Sequence, residues 1–150
     1  MTSKVLVPID LSDLPTMEKV ITAAVMQANF DNSKLIVMTV VPDIIAGLDW
    51  RYAIRGETGG SEEFDMREIV ADAVKRLNEI VADRVPEGME VETVARRGTV
   101  YEQVLEVAEE MGVDQIVIGA HRPGLSDFLL GRNAAAIVRH AHCSVNVIRH

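Results

Sequence analysis

The run "LIVMTVV", Leu35 to Val41, constrains the fold most strongly. A strand with one wet face alternates apolar and polar residues, whereas an uncharged, mostly β-branched run of this length suits a strand covered on both faces. "KVLVPI" (Lys4 to Ile9) and "DQIVIG" (Asp114 to Gly119) read the same way. "MEVETVARRG" (Met89 to Gly98) and "CSVNVIR" (Cys143 to Arg149) are more mixed, with Glu90, Glu92 and Asn146 among the apolar residues, and suit sheet edges.

Helical periodicity fills the intervals between these runs. After Lys4 to Ile9, Ser12 offers a hydroxyl cap, Pro15 sits where a first helical turn tolerates it, and Leu14, Met17, Ile21, Ala24, Val25 and Ala28 recur at three- and four-residue steps. A second helix follows from Met66, Ile69, Val70, Ala73, Leu77, Ile80 and Val81, and ends before Pro86. Thr99 and Glu102 have the spacing of a capping box for a third, whose buried face is expected to hold Val104, Leu105, Ala108 and Met111 and which Gly112 stops. "NAAAIVRHA", Asn133 to Ala141, is the fourth. Pro42 to Gly60, with the only tryptophan, Trp50, is a long irregular connection of the kind that is usually functional or mobile.

Strands and helices therefore alternate, β-α-β-α-β-α-β-α-β, which specifies an α/β fold: a five-stranded parallel sheet with helices on both faces. Placing the mixed strands at the edges and keeping crossovers right-handed gives the order 3-2-1-4-5. Winding reverses between strands one and four, and open α/β sheets bind ligands beyond the strand ends at such a reversal. Those ends are Pro8-Ile9-Asp10 and Gly119-Ala120-His121.

At 150 residues and 48% hydrophobic content the chain is expected to form one domain. With 23 acidic against 15 basic residues and a formal charge of −8, general affinity for nucleic acid or an anionic membrane is not expected. No apolar run approaches membrane-spanning length, and the start lacks the pattern of a signal peptide, so a cytoplasmic protein is expected. A single cysteine, Cys143, agrees with a reducing compartment, and "HAHC", with His140, His142 and Cys143, matches no closed zinc pattern.

The chemistry gathers at the winding reversal. Gly131-Arg132-Asn133 opens the fourth helix, whose unpaired amides and dipole attract anions, and Arg122 and Arg132 offer donor forks for phosphate oxygens. Asp10, an acceptor only, fits an amino group or sugar hydroxyl. Each residue also has a purely structural reading: Gly119 as a turn, Gly131 as a helix entry, Asn133 or Asp10 as a helix cap, His121 as a loop histidine, and Arg122 and Arg132 as solvated surface charges. Neither a G-x4-G-K-[ST] loop nor an S-G-G-x-D-S tract occurs, and no water-activating base can be placed, so efficient catalytic turnover is not expected.

"VLVPIDLSD", "VDQIVIGAHRP" and "LLGRNAAAIVRHAHCSVNVIR" together resemble the universal stress protein family, nearest its F and G branch, over essentially the whole chain. The resemblance implies a Rossmann-like fold, of the adenine nucleotide alpha hydrolase-like type, that binds ATP, with magnesium as a counter-ion. Carried over, Pro8, Ile9 and Asp10 border base and ribose, and Val40 meets adenine through its backbone. Gly119, Ala120, His121 and Arg122 line the ribose and phosphate path, and Gly131, Arg132 and Asn133 hold the triphosphate end. Two positions depart from the family's G-x2-G-x9-G-[S/T] loop: Arg122 stands at the second glycine, with the span to Gly131 one residue short, and Arg132 replaces the hydroxyl residue. The resemblance further implies a homodimer through the fifth strand and a role as a nucleotide-dependent stress sensor or regulator. The competing readings are a slow ATPase and a nucleotide-free interaction module.

Overall fold

The computed structural model describes residues 2–42, 66–120 and 131–149. Trp50 and the rest of 43–65, and residues 121–130 with His121 and Arg122, lie outside them. The elements run β1 (Lys4–Pro8), α1 (Leu14–Asp31), β2 (Lys34–Val41), α2 (Met66–Arg84), β3 (Val91–Arg97), α3 (Val100–Glu110), β4 (Gln115–Gly119), α4 (Arg132–His140) and β5 (Ser144–Ile148). A short 3-10 turn, Leu11–Asp13, leads into α1.

All strand pairs are parallel, in the order β3-β2-β1-β4-β5. This is the order expected from strand polarity. Alternation along the central strands sends side chains to two separate cores. Val5, Val7, Leu35, Val37 and Val117 pack under α1 and α2 with Ile21, Ala24, Ala73 and Leu77. Leu6, Ile36, Met38, Ile116 and Ile118 pack under α3 and α4 with Val104, Val107, Ala134 and Ile137. Both faces of β1, β2 and β4 are thereby dry, which is why these runs show no alternation. Fully burying an aliphatic side chain of this size contributes roughly 1.5–3 kcal/mol, so the sheet's centre rests on its doubly covered strands.

Helix ends depart from the expectations in instructive ways. Asp10, rather than Ser12, caps the entry to the first helical segment: its Oδ1 accepts from the Ser12 amide at 2.9 Å and from Ser12 Oγ at 2.5 Å. A carboxylate two residues upstream reaches both donors in an Asx turn, so the serine becomes the donor. Thr99 does occupy the N-cap of α3, but its side chain makes no capping bond, so the box is not formed. On α1 Val20 joins the buried face, and on α3 Val107 is buried where Leu105 is only half-buried. Gly112 ends α3 as expected, at φ +64, a left-handed conformation that glycine adopts without strain.

Candidate functional site

Three structural facts shape the C-terminal end of the sheet. First, β1 and β4 pair only at Val5–Gln115 and Leu6–Ile116. Beyond these rungs β1 stays with β2 as far as Pro8–Met38, and β4 stays with β5 as far as Gly119–Ile148. The sheet is thus split where the winding reverses.

Second, the Gly131 amide donates to the Ala120 carbonyl at 3.1 Å, fastening the start of α4 to the end of β4. Gly131 is the N-cap and makes no side-chain cap. Its own N–H is occupied, which leaves the amides of Arg132, Asn133 and Ala134 as the helix donors with no carbonyl one turn back. Asn133 is therefore not the cap; it is an exposed residue of the first turn. Arg132 is exposed, and no acidic residue stands in the first turn. Among the described residues Arg132 forms no ion pair. A cation at the positive end of a helix dipole is unfavourable by roughly 0.3–1 kcal/mol unless an anion lies beside it. At the other end Arg139 and His140 are placed as the dipole favours.

Third, Ile9 continues toward β2, its amide donating to Met38 O at 2.8 Å, and its carbonyl then accepts from the Thr39 hydroxyl at 2.9 Å. Thr39 is 1% exposed, one polar side chain inside the apolar run that defined β2. That lone hydroxyl was the available signal in the sequence, and the apolar reading of the run passed over it.

The expected site residues within the described segments have these positions. Pro8 closes β1, Ile9 is buried against the α1 and α2 core, and Asp10 is exposed with Oδ1 committed to the Ser12 turn. Val40 is buried by side chain in the α3 and α4 core. Gly119 ends β4, and a Cβ there would stand 3.1 Å from Val20 Cγ2, so this glycine admits α1 close to the sheet. Ala120 is buried and bonded to both Ile148 and Gly131. Pro8 and Gly119 thus flank the split, and Gly131 is tied to it.

Residues 1–149 match the Universal stress protein family. The chain belongs to that family. It is 30% identical over 149 residues to Universal stress protein G of Shigella flexneri, an alignment covering 99% of this chain and 100% of that protein. The fold is Rossmann-like and shared with solved universal stress proteins. The universal stress protein UspA from Lactobacillus plantarum superposes with a TM-score of 0.68 at 25% identity, covering 98% of this chain and 97% of that one. A universal stress protein in complex with cAMP superposes with a TM-score of 0.67 at 19% identity, again over 98% and 97% of the two chains. Among the described helices of this universal stress protein, none is long and apolar enough to cross a membrane.

Proposed function

We propose that this universal stress protein binds ATP at the split between β1 and β4 and works in the cytoplasm as a stress-response regulator whose conformation or partner choice follows the bound nucleotide. The observation that carries the reading is the start of α4: three helix amides without intrahelical acceptors and an arginine without an ion pair among the described residues, held at the end of β4 by the Gly131–Ala120 bond. Such an array is short of negative charge, and a polyphosphate supplies it. A solved family member carries cAMP, which makes an adenine nucleotide the natural ligand class to test. Asp10, Pro8 and Ile9 then border the base and ribose, Val40 meets adenine through its backbone, and Gly119 and Ala120 lie along the path to Gly131, Arg132 and Asn133. His121 and Arg122 belong to the same proposal through their place in the sequence between Ala120 and Gly131. Magnesium accompanies the phosphates as a counter-ion, and turnover is at most slow.

The same reading includes a homodimer, with β5 pairing to its copy. β5 is an edge strand, and an edge without charged protection is a template for pairing. Native mass spectrometry of the purified protein tests both parts at once: the expected spectrum is a dimer carrying ATP. A monomer, or a dimer that takes up no nucleotide at saturating ATP and magnesium, would overturn the corresponding part, and ADP accumulating within seconds would turn the reading toward an enzyme.

A further inference from the structure

Along a parallel strand the N–H and C=O of one residue face the same neighbour, and successive residues face opposite neighbours. In β2 the Lys34 amide donates to Ser3 O at 2.9 Å and Met38 O accepts from Ile9 N at 2.8 Å, so even-numbered residues face β1. The Leu35 amide donates to Glu90 O and Val41 O accepts from Gly98 N, both at 2.9 Å, so odd-numbered residues face β3. Val40 therefore turns its backbone edge to the β1 side.

Continuing the register, the next rung would carry the Val40 N–H to the Ile9 carbonyl. That rung is absent: the ladder ends at Pro8–Met38, and the Val40 amide donates to no backbone carbonyl among the described residues. The Ile9 carbonyl accepts from Thr39 Oγ1 instead. Thr39 projects into the sheet face covered by α1 and α2, the same side on which Ile9 is buried, and the chain then turns away through the Asp10–Ser12 cap. A valine would fill the same volume in this apolar setting without a hydroxyl to satisfy. The Thr39 hydroxyl thus stands as donor to the Ile9 carbonyl where the ladder's next amide would.

We propose that Thr39 is a positioning residue: by engaging the Ile9 carbonyl it ends the β1–β2 ladder one rung early and reserves the backbone edge of Val40 for the ligand's base. This rests on the nucleotide reading above, but its structural half stands without a ligand. Thr39→Val removes the hydroxyl at nearly constant shape. The Ile9 carbonyl then lacks that donor, and the Val40 amide is the one the register would bring to it, which lengthens the ladder and closes the edge.

Amide hydrogen exchange of the ligand-free protein, with ATP titration of the same variants, is the test. In the wild type the Val40 amide is expected to exchange faster than those of Ile36 and Met38, which face β1 within the ladder. Thr39→Val is expected to slow exchange at Val40 toward theirs and to weaken ATP binding about tenfold, the equivalent of one hydrogen bond. Thr39→Ser, which keeps the donor, is expected to restore both. A wild-type Val40 amide as protected as Met38, a Thr39→Val variant with unchanged exchange, or slowed exchange with undiminished ATP affinity would each overturn the proposal. A wild type that binds no ATP would sink the nucleotide reading instead, and the exchange comparison would still decide whether Thr39 ends the ladder.

Discussion

At the N-terminal ends of the strands Lys4 alone is held three ways: its amide donates to Asp114 Oδ2 at 2.8 Å, its carbonyl accepts from the Asp114 amide at 2.9 Å, and its Nζ donates to Met111 O at 2.7 Å. Ser3 and Ser33 join hydroxyls nearby, and Lys34 pairs with Glu92 at 2.8 Å, a carboxylate contact that raises the lysine's pKa. At the C-terminal ends β1 and β4 part after two rungs, β1 and β2 part after Pro8, and α4 begins with donors that no side chain caps among the described residues. Strands β1, β2 and β4 are thus fastened at one end and opened at the other, while β3 stays paired to β2 as far as Val41–Arg97. Where polar groups are paired within the chain they hold the fold, and where they are left over they are available to something else.

Changing the open end is therefore expected to cost binding with little stability, and the largest effect falls on Gly131→Glu. The backbone there, at φ −59 and ψ 157, is one that any residue adopts, so the change introduces charge and bulk rather than strain. A carboxylate at the start of α4 sits favourably for the helix and repels a polyphosphate. ATP affinity is expected to fall at least about a hundredfold by calorimetry, and because Gly131 is buried the thermal midpoint is expected to fall modestly while the fold is kept. Undiminished affinity would place the phosphates elsewhere.

Gly119→Ala sharpens the division by testing an exception to it. This glycine lies at the open end, yet its missing Cβ admits Val20 of α1, 3.1 Å from where the Cβ would stand, with Met17 Cε at 3.7 Å. Valine on a helix has little rotamer freedom with which to yield. The substitution is expected to destabilise the protein by about 1–3 kcal/mol in urea denaturation, making Gly119 a packing residue whatever its proposed part in binding. A loss below a few tenths of a kcal/mol would show that Val20 yields readily and that packing does not require this glycine.

How much of this was legible from residues alone depended on whether the signal was collective. The sheet order followed from Leu35 to Val41 and its two companions, because a strand buried on both faces must be apolar at every position. Gly112 and Pro15 read correctly because backbone conformation leaves them few other uses. Individual polar side chains did not read so well. Ser12, Glu102 and Asn133 each had the right type at a plausible spacing for a cap. Asp10, the bare Thr99 backbone and Gly131 took those places, since which neighbour reaches an amide first depends on local chain direction. Val20 and Val107 were missed because helical faces are wider than a strict three-four step allows. Thr39 was hidden by its neighbours: as a β-branched residue it continues a strand, and only the structure gives its hydroxyl a partner.

The fastened end supplies the smallest expected effect. Cys143 precedes β5, partly buried, and that burial, with the negative charge of Asp114 nearby, raises its thiol pKa. At neutral pH the thiol is therefore expected to be protonated and slow toward an aromatic disulfide reagent compared with a free cysteine, since only the thiolate attacks. Asp114→Asn removes the charge while retaining an oxygen that can accept from the Lys4 amide. Burial is the larger cause of the raised pKa, so the variant is expected to react only about twofold faster at pH 7.5 and to bind ATP as the wild type does. A tenfold acceleration would mean that the substitution had loosened the Lys4–Asp114 clasp, and an accompanying loss of ATP affinity would show that the two ends of the sheet are coupled.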